Sequence, residues 1–176
     1  MSEKVLVTYA TKYGSTKGVA EAIVAALREK GHQVEFTPVS YVSSLSSYQA
    51  VVLGSPIYIG SILSDAAKFI TRHKDALTKI PSSFFVLGPL ENTPKEIDGA
   101  RPQLENILKK YPWYKPAAAE VFVGGYDPAL LRFPDSLINI IPASPLKGRP
   151  ATDNRDWNAI RAWADTLPAV FQLKSD

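Results

Sequence analysis

Between Tyr9 and Glu21 the chain reads YATKYGSTKGVAE, and the reading of this stretch decides the fold. Thr11, Ser15 and Thr16 bring hydroxyls, Gly14 a position without a side chain, and Lys12 and Lys17 two cations. Just upstream, KVLVTY (Lys4 to Tyr9) is almost continuously apolar and β-branched, as a strand covered on both faces must be. Just downstream, Val19, Ala20, Ile23, Val24 and Leu27 recur at helical spacing, with Lys17, Glu21, Arg28 and Glu29 on the other faces. Gly31 stands where a helix of this length stops. A strand that feeds a helix through such a loop places the loop beyond the carboxyl end of the strand. There the unpaired N–H groups of the helix entrance attract anions.

The same alternation continues outward. QVEFTPV sets Val34 and Phe36 against Glu35 and Thr37, and Pro38 removes a ladder donor, which suits an edge strand. AVVLG, SFFVLG and AEVFVGG are short apolar runs that end in glycine. Helical patterns lie between them: Ala66, Ala67, Phe69, Ile70, His73 and Leu77, then Leu104, Ile107 and Leu108. A last helix is expected to open near Asp153 or Asn154, with Trp157, Ile160, Trp163, Ala164 and Leu167 along one side. Strands alternating with helices imply βαβ units, whose right-handed crossovers put helices on both faces of a parallel sheet. The expectation is one α/β domain over residues 1–176, with five strands and about five helices. Ser43 to Ser47 reads as a short polar connection. The segment 126–150 breaks the rhythm, because five prolines alternate with Leu130, Leu131, Phe133, Leu137, Ile138, Ile140 and Ile141.

Composition narrows the chemistry. The 176 residues are 45% hydrophobic and 21% charged, enough for a sizeable core. Twenty Lys and Arg against 17 Asp and Glu, dispersed along the chain, give a net charge of +3 and no concentrated footprint for nucleic acid. With no cysteine, disulfides, thiolate catalysis and thiolate-held metals are excluded, so redox chemistry needs a borrowed cofactor. Two histidines near helix ends, His32 and His73, give a metal site no support. Nothing reaches the roughly 18 consecutive apolar residues of a membrane span, and the polar start MSEK lacks the pattern of a secretory signal, so a cytoplasmic location is expected.

Other phosphate motifs fail on the same letters. Neither G-x-x-x-x-G-K-[ST] nor G-x-G-x-x-G occurs, which argues against nucleoside triphosphates and NAD. A phosphoacceptor of the receiver type needs acidic residues where this chain has TYAT and GSP. One bland alternative is that Thr11 to Thr16 only cap the helix; a cap needs one hydroxyl, and here there are three.

VTYATKYGSTKGVAEAI resembles the flavodoxin signature: an aromatic residue, T-x-x-G-x-T, an alanine and an aliphatic, here Tyr9, Thr11, Gly14, Thr16, Ala20 and Ile23. Thr8 departs from it, standing where the family has a bulkier apolar residue. The resemblance implies a flavodoxin-like three-layer sandwich with strand order 2-1-3-4-5 and FMN as cofactor. It also implies that Thr11, Lys12, Tyr13, Gly14, Ser15 and Thr16 cradle the FMN phosphate. Across the topological switch point, the loop GSPIYIGS would take the flavin ring through Pro56, Ile57, Tyr58, Ile59 and Gly60, with Tyr58 stacked on it and a Gly60 carbonyl free to turn toward N5. After the fourth strand, Leu87, Gly88, Pro89, Leu90 and Glu91 would border the ring edge, and after the fifth Gly124 and Gly125. Glu91 reads first as a solvated surface charge, ahead of a carboxylate set near flavin N1. Trp113, Trp157 and Trp163 read as packing residues.

GGYDPALLRFPDSLINIIP and GRPATDNRDWNAIRAWADTL, with SPIYIG, look like the flavodoxin-domain branch that includes menaquinone-dependent protoporphyrinogen oxidases. The insertion at 126–150 carries few basic residues, chiefly Arg132, Lys147 and Arg149. It is either a short helix packed on the sheet or a lid or partner surface, with peripheral membrane contact among its uses. Three functions stay open: an FMN electron carrier for a soluble redox protein, a flavin oxidoreductase on a hydrophobic molecule such as a quinone or porphyrinogen, and a non-redox binding module on the same fold. No acid/base constellation for catalysis stands out.

Overall fold

The computed structural model describes residues 4–174, apart from the side chains of Ile138 and Asn139. The expectations drawn from the polar start at residues 1–3 and from the Ile138 side chain lie outside the described residues. Five parallel strands form the sheet: β1 (Val5–Tyr9), β2 (Val34–Pro38), β3 (Ala50–Tyr58), β5 (Ser82–Leu87) and β6 (Ala118–Phe122). Their spatial order is β2-β1-β3-β5-β6, which is 2-1-3-4-5 when these five are counted alone. The short β4 (Ser61–Ile62) adds an antiparallel hairpin arm to the end of β3.

Strand alternation explains the three layers. Val5, Val7 and Tyr9 face α1 (Ser15–Glu29) and α5 (Trp157–Val170) together with Ile23, Leu27, Ile160 and Leu167. Leu6, Leu53, Phe84 and Val86 face α2 (Ser64–Arg72), α3 (Lys74–Leu77) and α4 (Pro94–Lys109), whose Phe69, Ile70, Leu77, Leu104 and Ile107 close the other side. Each large side chain fully buried in this way contributes about 1.5–3 kcal/mol. Thr8 lies within this wholly buried strand because its hydroxyl donates to the Thr37 carbonyl of β2 at 2.8 Å. Gly54 is the place where the Phe85 ring crosses β3: a Cβ there would lie 2.1 Å from the ring. The edge strand β2 presents Val34 and Phe36 to the core, and Phe36 stacks on Tyr9 at 5.1 Å between centroids.

Three boundaries differ from the sequence expectation. The pattern from Ala66 to Leu77 is two helices, broken at His73, whose carbonyl accepts from Ala76 and Leu77. The final helix starts at Trp157, with Asp156 as its N-cap accepting from Ala159 N–H at 2.9 Å. The insertion forms no helix on the sheet. It consists of a short antiparallel pair, β7 (Gly125–Tyr126) with β8 (Thr152–Asp153), and two 3-10 turns at Pro128–Leu130 and Asp135–Asn139. Leu130, Phe133, Leu137, Ile140 and Ile141 are exposed and belong to neither face of the core. Among the described residues no helix is long and apolar enough to cross a membrane.

Candidate functional site

Four loops meet beyond the carboxyl ends of the parallel strands. They line a cleft of about 400 Å³, partly open to solvent, around the point where the strand order reverses. Thr11, Tyr13, Ser15 and Thr16 come from the loop after β1, and Pro56, Ile57 and Tyr58 from the end of β3. Leu87, Gly88 and Leu90 follow β5, and Gly124 and Gly125 follow β6. Ile59, Gly60 and Pro89 line an adjoining cleft against α4, which shares Ile57 and Gly88 with the first.

The entrance to α1 is left open by its own side chains. Gly14 is the N-cap residue, in the left-handed region at φ 93°, and no side chain caps the helix. Thr11 Oγ1 instead accepts from Gly14 N–H at 2.9 Å, folding the loop back on itself. Ser15 Oγ donates to the Gly125 carbonyl at 3.3 Å. Thr16 Oγ1 is buried and has no hydrogen-bond partner, although Thr16 is a cleft residue only 1% exposed. Leaving a buried hydroxyl unpaired costs about 1–3 kcal/mol, which an acceptor in the cleft would recover. The capping alternative therefore fails: none of the three hydroxyls caps α1. One anionic oxygen placed at this turn would meet the free N–H groups, the positive end of the helix dipole and Thr16 together.

Lys12 and Glu91 are turned to other partners. Lys12 forms an ion pair with Asp135 of the insertion, and Tyr13 O–H donates to the same carboxylate. Lys12, then Tyr13, hold the Asp135 carboxyl below its usual range, and Asp135 in turn raises Lys12. Glu91 pairs with Arg149 at 3.2 Å on the exposed rim. Burial, then the nearby Tyr13 phenol, pushes the Tyr58 phenol above its ordinary value, so both cleft tyrosines stay neutral at physiological pH.

The ring-side loop is more ordered than a simple turn. β3 runs on to Tyr58 and pairs back with β4, Ile57 opposite Ile62 and Tyr58 opposite Ser61. Ile59 and Gly60 form the two-residue connection with φ 50° and 69°, the double positive φ of a I′ hairpin. A fully exposed β-branched residue in that conformation is a strained choice, and such strain concentrates at functional loops. Ser55 Oγ braces the hairpin from below, accepting from Leu63 N–H at 3.2 Å.

Sequence reasoning missed three supports. Asn154 Nδ2 donates to the Leu90 carbonyl at 2.8 Å, fixing the third loop. Asp135 ties the insertion to the first loop, and Arg155 reaches the first turn of α1, donating to the Ser15 carbonyl at 3.2 Å. Gly18, an otherwise unfavourable residue inside a helix, was the one local sign that something approaches α1 closely.

The comparisons agree with this architecture. Over 110 residues the chain is 26% identical to protoporphyrinogen IX dehydrogenase [quinone] of Escherichia coli K12; the match spans 61% of this chain and 59% of that relative. An archaeal flavodoxin superposes over 96% of this chain and 99% of its own at TM-score 0.60 and 17% identity. Rubredoxin oxygen:oxidoreductase of Desulfovibrio gigas superposes over 97% of this chain and 36% of its own at TM-score 0.55 and 16% identity. At such identities the two structures speak for the fold. The family model described as flavodoxin domain matches residues 6–142, from the first strand to the middle of the insertion. The chain therefore belongs to the flavodoxin domain family.

Proposed function

We propose that the chain binds FMN in the four-loop cleft and passes electrons to or from a soluble redox protein. The observation that carries this reading is the uncapped entrance of α1 with the buried, unpartnered Thr16 hydroxyl beside it. The donor set suits a phosphate monoester: backbone N–H groups at the helix entrance and the Thr16 hydroxyl, with Gly14 keeping side chains out of the way. Tyr58 would offer a neutral ring face to the isoalloxazine, and Leu87, Gly88 and Leu90 a largely apolar wall. Ile59, Gly60 and Pro89 would border the part of the ring that reaches the adjoining cleft. Bound there, the flavin would supply the one- and two-electron chemistry that no side chain of this cysteine-free chain offers. The protein's part is to hold the phosphate, orient the ring and limit water at one face. We place the protein in the cytoplasm, as one unit with an insertion at about 126–150.

Purified protein mixed with FMN tests this directly. A flavin absorbance spectrum that co-elutes with the chain, and reoxidation by a protein acceptor in stopped flow, are the expected results. A colourless protein that fails to take up added FMN would leave only a binding module on this fold.

A second reading rests on the insertion. Leu130, Phe133, Leu137, Ile140 and Ile141 are exposed beside the cleft, on a segment tied to the first loop through Asp135. Such a surface suits oxidoreduction of a hydrophobic molecule such as a quinone or a porphyrinogen, at or near a membrane surface. Deleting the segment should then abolish quinone turnover while FMN stays bound; unchanged turnover excludes it.

A further inference from the structure

The side chain of Arg155 is only 18% exposed, and all three of its guanidinium nitrogens are engaged. Nε and Nη2 fork onto the Asp153 carboxylate at 2.7 and 2.6 Å, which fixes the plane of the group against β8. Nη1 donates to the Ser15 carbonyl at 3.2 Å, and the group lies 4.6 Å from the centre of the Trp157 ring. It reaches α1 through a gap that Gly18 leaves: a Cβ at that position would stand 2.6 Å from Nη1. Ser15 is the first residue of α1, and its own hydroxyl donates to the carbonyl of Gly125, the β7 residue paired with Asp153. The first turn of α1 is thus gripped from β7 and from the β8–α5 connection, two segments more than 100 residues further along the chain.

We propose that Arg155 is a positioning residue for the anion-binding turn, admitted by Gly18 and aimed by Asp153, so that phosphate affinity depends on a residue outside the cleft. The inference rests on the reading of that cleft as a phosphate site. The ion pair with Asp153 largely cancels the charge of Arg155, so its action is on geometry. Its hydrogen bond fixes where the Ser15 peptide stands, and with it the direction of the N–H groups that follow.

Two variants separate positioning from general stability. Gly18→Ala places a methyl group in the gap and displaces Arg155 while favouring helix formation; Arg155→Lys keeps a charge and loses the fork. Both are titrated, in the full chain, with FMN and with riboflavin, which lacks the phosphate. FMN affinity is expected to fall about tenfold, the scale of one lost hydrogen bond to a charged group, with riboflavin affinity unchanged. The double variant should lose no more than either single one, because both remove the same contact. Equal losses for the two ligands, or no loss for FMN, would overturn the proposal. If the parent binds neither flavin, the flavin reading fails by itself, and amide hydrogen exchange at Ser15, Thr16 and Lys17 decides the matter: faster exchange in Arg155→Lys supports the clamp, and unchanged exchange refutes it.

Discussion

The sheet and the insertion hold their shape by different means. Along β1, β3 and β5 nearly every side chain is buried between helices, and the loops above inherit their positions from those strands. Between Asp127 and Pro150 no described side chain belongs to either core cluster. This segment is pinned by the β7–β8 pair, by Asp135 to Lys12 and Tyr13, and by Arg149 to Glu91, while Leu130, Phe133, Leu137, Ile140 and Ile141 face outward. Burial fixes the first region cooperatively, whereas a few polar tethers leave the second free to open locally at little cost. The cleft lies where they meet, with the uncapped entrance of α1 on one side and the tethered insertion on the other.

Core truncation should separate the two regions most strongly. Phe85→Ala removes a fully buried ring packed over Gly54 and beside Phe122 and Trp163, and should cost about 3–5 kcal/mol in chemical denaturation. A loss below about 1 kcal/mol would mean that the sheet is not the cooperative unit. Next, Thr16→Val keeps the shape and removes the unpartnered hydroxyl. It should weaken FMN binding by about 1–3 kcal/mol in a titration and leave folding stability intact or slightly higher, since no internal hydrogen bond is lost.

Asp135→Asn should change global stability by less than about 1 kcal/mol, because the pair is surface-facing. The same change should speed limited proteolysis within 128–141. Acid should mimic it. The Asp135 carboxyl titrates below its ordinary value in the fold, so its tether is intact above pH ~4 and is lost as the pH falls through that lower folded value. Lys12, raised by Asp135, keeps its charge up to its own folded value, above the ordinary lysine range, so the alkaline side adds no loss near neutrality. Protease sensitivity that is flat from neutral pH into strong acid would contradict the tether. Smallest of all, Phe133→Ser at an 80% exposed position should leave the denaturation midpoint within about 0.5 kcal/mol while lowering turnover of any hydrophobic acceptor.

The same contrast explains what the sequence could disclose. β1 and α1 were legible because burial writes itself as continuous apolar runs and helical spacing, as in Val5 to Tyr9 and Val19 to Leu27, whereas the strand order came only with the resemblance to the flavodoxin signature. The first loop was legible as a cleft-lining turn because its residues are local in sequence: Thr11, Gly14 and Thr16 lie within six positions. Side-chain pairings across the chain left no such trace. Tyr13 meets Asp135, Ser15 meets Arg155 and Leu90 meets Asn154 through contacts that no periodicity encodes. The hairpin after β3 was read as plain loop because Pro56 masked the strand and Ile59 is an unusual residue for a positive φ. In the insertion, the abundance of Leu, Ile and Phe left a packed helix and a lid or partner surface equally open, and the structure leaves Leu130, Phe133, Leu137, Ile140 and Ile141 exposed.

A crystal structure of the chain with FMN would examine the central claim most directly. The phosphate is expected at the entrance of α1, with one oxygen within about 3 Å of Thr16 Oγ1 and others facing the N–H groups of the first turn. FMN seated with its phosphate out of hydrogen-bonding reach of that turn, or a cleft that stays empty at saturating FMN, would contradict it.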